Sequence, residues 1–121
     1  MKKLYSTAIA FCTLAFSATA QTDSPLPFFD GINKAMEAVN VKYLAYMSAV
    51  SHGAKVRKAE KKRQELLDQI DQSRYSVMEL PYYKGDKSLT TATVDYLKLV
   101  SNNMNENYAK IVNYCISNNY I

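Results

Sequence analysis

From residue 30 onward the apolar positions recur with helical spacing. Ile32, Met36, Val39, Tyr43, Tyr46, Met47 and Val50 fall on one helix face. Asp30, just before Gly31-Ile32, is placed to cap its start. A second stripe, Val56, Ala59, Leu66, Leu67, Ile70, Val77 and Leu80, ends at Pro81. At helical pitch this stripe centres about 170° from the first. A single helix would therefore have to move its apolar face to the opposite side at Ser51-His52-Gly53-Ala54. The pattern predicts a break there, with Gly53 supplying the backbone freedom. Residues 80–87, LPYYKGDK, read as a loop, and Ser88 as the cap of a third helix. That helix carries Val94, Leu97, Met104, Tyr108, Ile111 and Cys115, with Thr90 and Ser101 in the gaps of the stripe. No alternating β-branched run of strand length occurs. The expected fold is all-α: an antiparallel three-helix bundle over about residues 30–50, 54–80 and 88–117. Faces this wide also suit an incomplete four-helix bundle. Its open apolar groove would be solvated at a cost, or filled by another chain or by self-association.

Ahead of the bundle the pattern is different. Lys2 and Lys3 precede a mostly apolar run over residues 4–16, too short to span a bilayer as a helix. Ser17-Ala18-Thr19-Ala20 then offers the small-x-small pattern of a cleavage site. Residues 1–20 are expected to be a secretory signal peptide cut after Ala20. Residues 21–29 read as an extended, proline-containing lead, and residues 30–121 as the helical domain. The expected localisation is export, to the periplasm, the cell surface or the medium. No later stretch reaches membrane-spanning length, so the mature protein is expected not to span a membrane.

Composition narrows the chemistry. The chain has 121 residues, enough for one domain, with 48% hydrophobic positions that exclude a disordered chain. One His and two Cys exclude a four-ligand zinc site of Cys and His. Cys12 leaves with the signal peptide, so no internal disulfide is available. No nucleotide-binding, metalloprotease, haem-attachment or nucleophile-elbow motif occurs. No metal or cofactor is implied, and the chain is expected not to be an enzyme.

Charge adds the most unusual local feature. The formal net charge is +4, and it drops by two when Lys2 and Lys3 are removed. Between residues 55 and 63 stand Lys55, Arg57, Lys58, Lys61, Lys62 and Arg63 against Glu60 alone. On a helix Lys55, Lys58 and Lys62 form one stripe, with Arg57 and Lys61 beside it. The bland reading is a solvated face balanced by Glu60, Glu65 and Asp68. The functional reading is a strip that holds an anionic polymer or acidic headgroups. No aromatic residue interleaves the run for base stacking, so nucleic acid is not expected. Arg63 falls instead in the apolar sector of its helix. It is expected to be partly buried, near Asn40 and Tyr43 of the first helix.

Other residues weigh less. His52 is expected to be a turn or cap residue, because adjacent Ser51 and His52 diverge on a helix and cannot act as a catalytic pair. Cys115 is either a buried small hydrophobe or the site of an intermolecular disulfide. The scattered methionines read as core filling. Tyr82 and Tyr83 read as a lid over one bundle end, or as an exposed recognition pair.

Two stretches carry a resemblance. AKVRKAEKKRQELL (54–67), following Ser51-His52, and LPYYKGDKSLTTATVDYL (80–97) with NENYAKIVN (105–113) are similar to a family of small exported bacterial surface proteins of the leptospiral surface-protein type. The similarity covers most of residues 30–113, and its motifs are structural punctuation. It implies an all-helical exported protein with no known activity and no catalytic residues to carry over. Family members run longer than this chain, which departs from them at about Tyr114 and ends CISNNYI. The resemblance therefore implies a C-terminus that is either truncated or out of frame.

The functional expectation is an exported, non-enzymatic module of the envelope or cell surface. It would act on a protein or an anionic envelope component through the basic strip, the apolar groove, or both. The alternative is a small carrier that binds an apolar ligand between the helices.

Overall fold

The computed structural model describes residues 24–117, apart from the side chains of residues 112–116. The expected signal peptide and the side chain of Cys115 lie outside the described residues. Within them the chain forms three helices: α1 (Leu26–Ser51), α2 (Val56–Met78) and α3 (Ser88–Ser117). The fold is an all-α three-helix bundle.

Helix α1 starts at Leu26 rather than at residue 30, so the expected extended lead ends earlier than residue 29. Pro25 stands at the N-cap and Pro27 lies in the first turn, where a missing N–H is no loss. The Phe29 N–H donates to the Pro25 carbonyl at 3.0 Å. Burial of Phe28 drives this extension, since its ring is nearly inaccessible against the core. Asp30 is thus an interior helical residue and not the cap.

The break after Ser51 is a glycine-terminated cap. The Ala54 N–H donates to the Ala49 carbonyl at 2.9 Å and the Gly53 N–H to the Val50 carbonyl at 3.2 Å. Gly53 takes φ +67°, the left-handed conformation this hydrogen-bond pair requires. At the other end of α2, Pro81 stops the helix. Lys84 and Gly85 then both adopt positive φ in a tight turn closed by the Asp86 N–H on the Tyr83 carbonyl. Asp86, not Ser88, caps α3: its Oδ1 accepts from the Ser88 N–H at 2.8 Å. That hydrogen bond holds the Asp86 carboxyl below its ordinary range.

Helix α2 is the shared element, with α1 and α3 each packed along it. Gly31 faces Leu80, and the Ser73 hydroxyl donates to the Ala35 carbonyl at 2.8 Å, so α1 and α2 run antiparallel. Arg63 reaches Asn105, so α3 reverses again and lies parallel to α1. Two apolar clusters fill the interior. One joins Val39, Tyr46, Leu66, Ile70, Leu97 and Tyr108; the other joins Phe28, Ile32, Ala35, Val77 and Val94. Met36 packs on both. Tyr83 packs on the second cluster and Tyr82 beside it is half-buried, as expected of a lid. On the side away from α2, α1 and α3 leave a groove of about 320 Å³.

Candidate functional site

The first two turns of α2 concentrate positive charge for local reasons. Lys55 is the N-cap residue, but its side chain makes no cap hydrogen bond, and the first turn of α2 holds no acidic residue. The free N–H groups at this end carry the positive pole of the helix. Lys55, Arg57, Lys58 and Lys61 are exposed and have no ion-pair partner among the described residues. Like charges one turn apart, added to the helix pole, cost on the order of 1 kcal/mol together. Folding gains nothing from this arrangement.

The structure divides the strip into two parts. Lys55, Lys58 and Lys62 line a cleft of about 560 Å³ against the last turns of α1, where Ala45, Ser48, Ala49 and His52 form the opposite wall. Arg57 and Lys61 are not among the residues lining it and belong to the adjoining surface. Lys62 is partly neutralised. Its Nζ donates to Glu65 Oε2 at 2.9 Å, and Lys42 approaches the same oxygen at 3.6 Å. The Lys62 hydrogen bond, aided by Lys42, holds the Glu65 carboxyl low. The unpaired positive charge in the cleft therefore comes from Lys55 and Lys58.

Arg63 stands apart, as its position in the apolar sector predicts, and its burial is nearly complete at 9% exposure. Its neighbours differ from those expected. The guanidinium donates from Nε and Nη2 to the two oxygens of Glu60, at 2.9 and 2.6 Å, and from Nη1 to Asn105 Oδ1 at 3.1 Å. Its Cζ lies 4.7 Å from the Tyr108 ring centre. Asn40 and Tyr43 instead line the groove between α1 and α3. The α1–α2 hairpin alone would bring Arg63 to Asn40 and Tyr43, whereas α3 supplies Asn105 and Tyr108. The Arg63 hydrogen bond is the main cause that holds the Glu60 carboxyl low. Burial pushes the phenols of Tyr46 and Tyr108 up. Tyr46 meets Tyr108 edge to face, with ring centres 6.0 Å apart.

His52 closes the end of α1. Its Nδ1 lies 2.8 Å from the Ser48 carbonyl oxygen. A carbonyl can only accept, so Nδ1 carries a proton and donates it. This is the cap role expected from the sequence. Of the tyrosines on the apolar stripes, Tyr46 and Tyr108 are buried, while Tyr43 stands at the edge of the α1–α3 groove, opposite Tyr96. Among the described residues no three His, Cys, Asp or Glu side chains could share a metal ion, and no helix is long and apolar enough to cross a membrane.

Sequence reasoning missed the far wall of the cleft and the α3 partners of Arg63. A signal existed for the first. Ala45 and Ala49 place two small residues one turn apart on α1, leaving room beside the lysines. Asn105 carries no such mark.

No family model, curated protein or solved structure matches this chain.

Proposed function

We propose that the chain is an exported, non-enzymatic helical module of the cell envelope. It holds an anionic envelope polymer or headgroup on the basic edge at the α1–α2 turn. The observation that carries this reading is the set of four unpaired cations, Lys55, Arg57, Lys58 and Lys61, at the uncapped start of α2 beside an open cleft. An anion there would offset both the repulsion among the side chains and the free N–H groups. Export is supported by Lys2-Lys3, the apolar run and Ala18-Thr19-Ala20.

The test is titration of the purified chain with heparin, as a model polyanion, across ionic strength. The affinity is expected to fall about tenfold or more between about 50 and 200 mM salt. Replacing Lys55, Lys58 and Lys61 together by Glu should abolish binding. Replacing Lys84, Lys87 and Lys98 by Glu changes the net charge equally and should leave most of it. Binding that ignores salt, or that both triple variants lose alike, would overturn the reading.

One observation favours the carrier alternative. Tyr46, Val50, Ala59, Tyr108 and Ile111 help to enclose an apolar pocket of about 140 Å³ near the same end of the bundle. Pockets for drug-sized ligands run to about 300 Å³ or more. This one fits a single small ring; the groove of about 320 Å³ between α1 and α3 reaches that size, but its wall includes the amides of Asn40 and Asn103, which places the carrier reading second.

A further inference from the structure

The flank of α1 and α3 turned away from α2 has a composition unlike the rest of the surface. On α1 it runs through Phe29, Asn33, Met36, Asn40, Tyr43 and Met47. On α3 it runs through Leu89, Tyr96, Val100, Asn103 and Asn107. The α1 series follows helical spacing of threes and fours, and the α3 series does so from Tyr96 onward with Leu89 two turns ahead, so each falls on one helix face. The α1 strip contains no charged residue, and Lys110 is the first on the α3 strip. Helix α2, in contrast, carries ten charged residues between Arg57 and Arg74. Large apolar side chains on this flank stand open: Phe29 is 47% exposed, Met47 41% and Tyr96 53%. Leu99, 57% exposed, extends the patch at its edge. An apolar-rich face that stays uncharged along α1 and along α3 as far as Asn107 is what a protein interface looks like before it is covered.

We infer that this flank is a two-fold interface at which a second copy of the same chain docks. Three observations select a second copy over other occupants. The first is size. Two helices about 10 Å apart, each about 30 Å long over twenty residues, present about 600 Å² before side-chain relief is added. That approaches the roughly 800 Å² per partner of a stable interface. The second is charge. The chain is net positive, and its densest run of cations stands at the start of α2. Contact through the uncharged flank keeps the two α2 helices on opposite outer sides, where they repel least. A partner chosen by charge would find no counter-charge on the strip. The third is the polar content. Asn40 of α1 and Asn103 of α3 both line the groove. An amide carries both donor and acceptor, so it satisfies its own copy across a two-fold axis and penalises other registers. A bilayer would leave those amides unpaired.

The inference is independent of the polyanion reading, because it uses the opposite side of the molecule. The test is sedimentation of the purified chain from low to high micromolar concentration, at low and high salt. A dimer is expected that strengthens or holds as salt rises. Leu99→Glu and Tyr96→Lys, both at exposed positions, should yield monomers with unchanged helical circular dichroism. Tyr75→Lys, on an exposed face of α2 away from the flank, should leave the dimer intact. A chain that stays monomeric at high micromolar concentration would overturn the inference and leave the flank to a different protein. An assembly that survives Leu99→Glu and Tyr96→Lys would also overturn it, and would place self-association elsewhere in the chain.

Discussion

Arg63 lies with its guanidinium 4.7 Å over the ring of Tyr108, and the same group grips Glu60 through two of its nitrogens. One cation thus joins the second helix to the third through an aromatic face, while its charge is balanced within its own helix. Arg63→Leu should cost about 1–2 kcal/mol, because it removes the Asn105 and Tyr108 contacts yet lets half-exposed Glu60 return to water. Arg63→Lys should recover little of this, since an ammonium cannot reproduce the planar fork. Urea unfolding of both variants measures the difference.

The same pair gives stability a pH dependence of known sign. Glu60 titrates lower in the folded chain than its ordinary value of 4.5. The unfolded chain therefore binds its proton first as pH falls. The contribution is full above that ordinary value and is lost as pH drops through the folded one. Solvent screens this carboxylate, so the effect is at most about 1 kcal/mol. The stability gap between the native chain and Glu60→Gln should narrow between pH 6 and pH 3. A gap that stays constant would show that the carboxylate charge contributes nothing.

Two buried hydroxyls should respond in opposite directions. Ser73 donates to the Ala35 carbonyl across the α1–α2 interface, and Ser73→Ala should destabilise by about 1 kcal/mol. Thr90 Oγ1 is buried with no hydrogen-bond partner among the described residues. Thr90→Val keeps the shape and removes the desolvated oxygen, so it should stabilise by about 0.5–1 kcal/mol. Paired thermal melts decide this.

Gly53 should tolerate little. Its positive φ lets α1 end with both orphan carbonyls satisfied, and no atom would crowd an added Cβ. The cost of Gly53→Ala is therefore conformational alone, about 1–2 kcal/mol, and Gly53→Asn should cost less. Chemical denaturation of the two variants measures this ordering.

Core and flank leucines on α3 provide a further contrast. Leu97 is fully inaccessible and Leu99 is 57% exposed. Leu97→Ala should cost about 2–4 kcal/mol, whereas Leu99→Ala should change the stability of the isolated chain by about 0.5 kcal/mol or less.

Periodicity alone located all three helices, the reversal at Gly53 and the loop after Pro81, because each rests on local chemistry. It also marked Arg63, since a lone charge among Ala59, Leu66 and Ile70 is anomalous on any packing. The partners of Arg63 were not legible. Asn105 and Tyr108 become neighbours only through the register of α3 on α2, and no pairwise spacing encodes that. The start of α1 was misplaced for a related reason. Pro25 and Pro27 read as helix breakers, yet the tertiary burial of Phe28 makes them a tolerable first turn. The basic edge was legible as a charge run. Its division into a cleft and an outer surface depends on the angle at which α1 meets α2.

Helices α1 and α3 each lie along α2, and they reach one another chiefly through side chains such as Tyr46 and Tyr108. The bundle is therefore two helical hairpins that share one arm. Each hairpin joins sequence neighbours through a short turn, so little loop entropy opposes its formation and folding should be fast. The sharing also ranks the helices by protection. α3 can detach while the α1–α2 hairpin stays closed, but α2 cannot open without exposing both neighbours. Amide hydrogen exchange should therefore be slowest in the middle of α2, around Leu66 and Ile70, and fastest toward the end of α3.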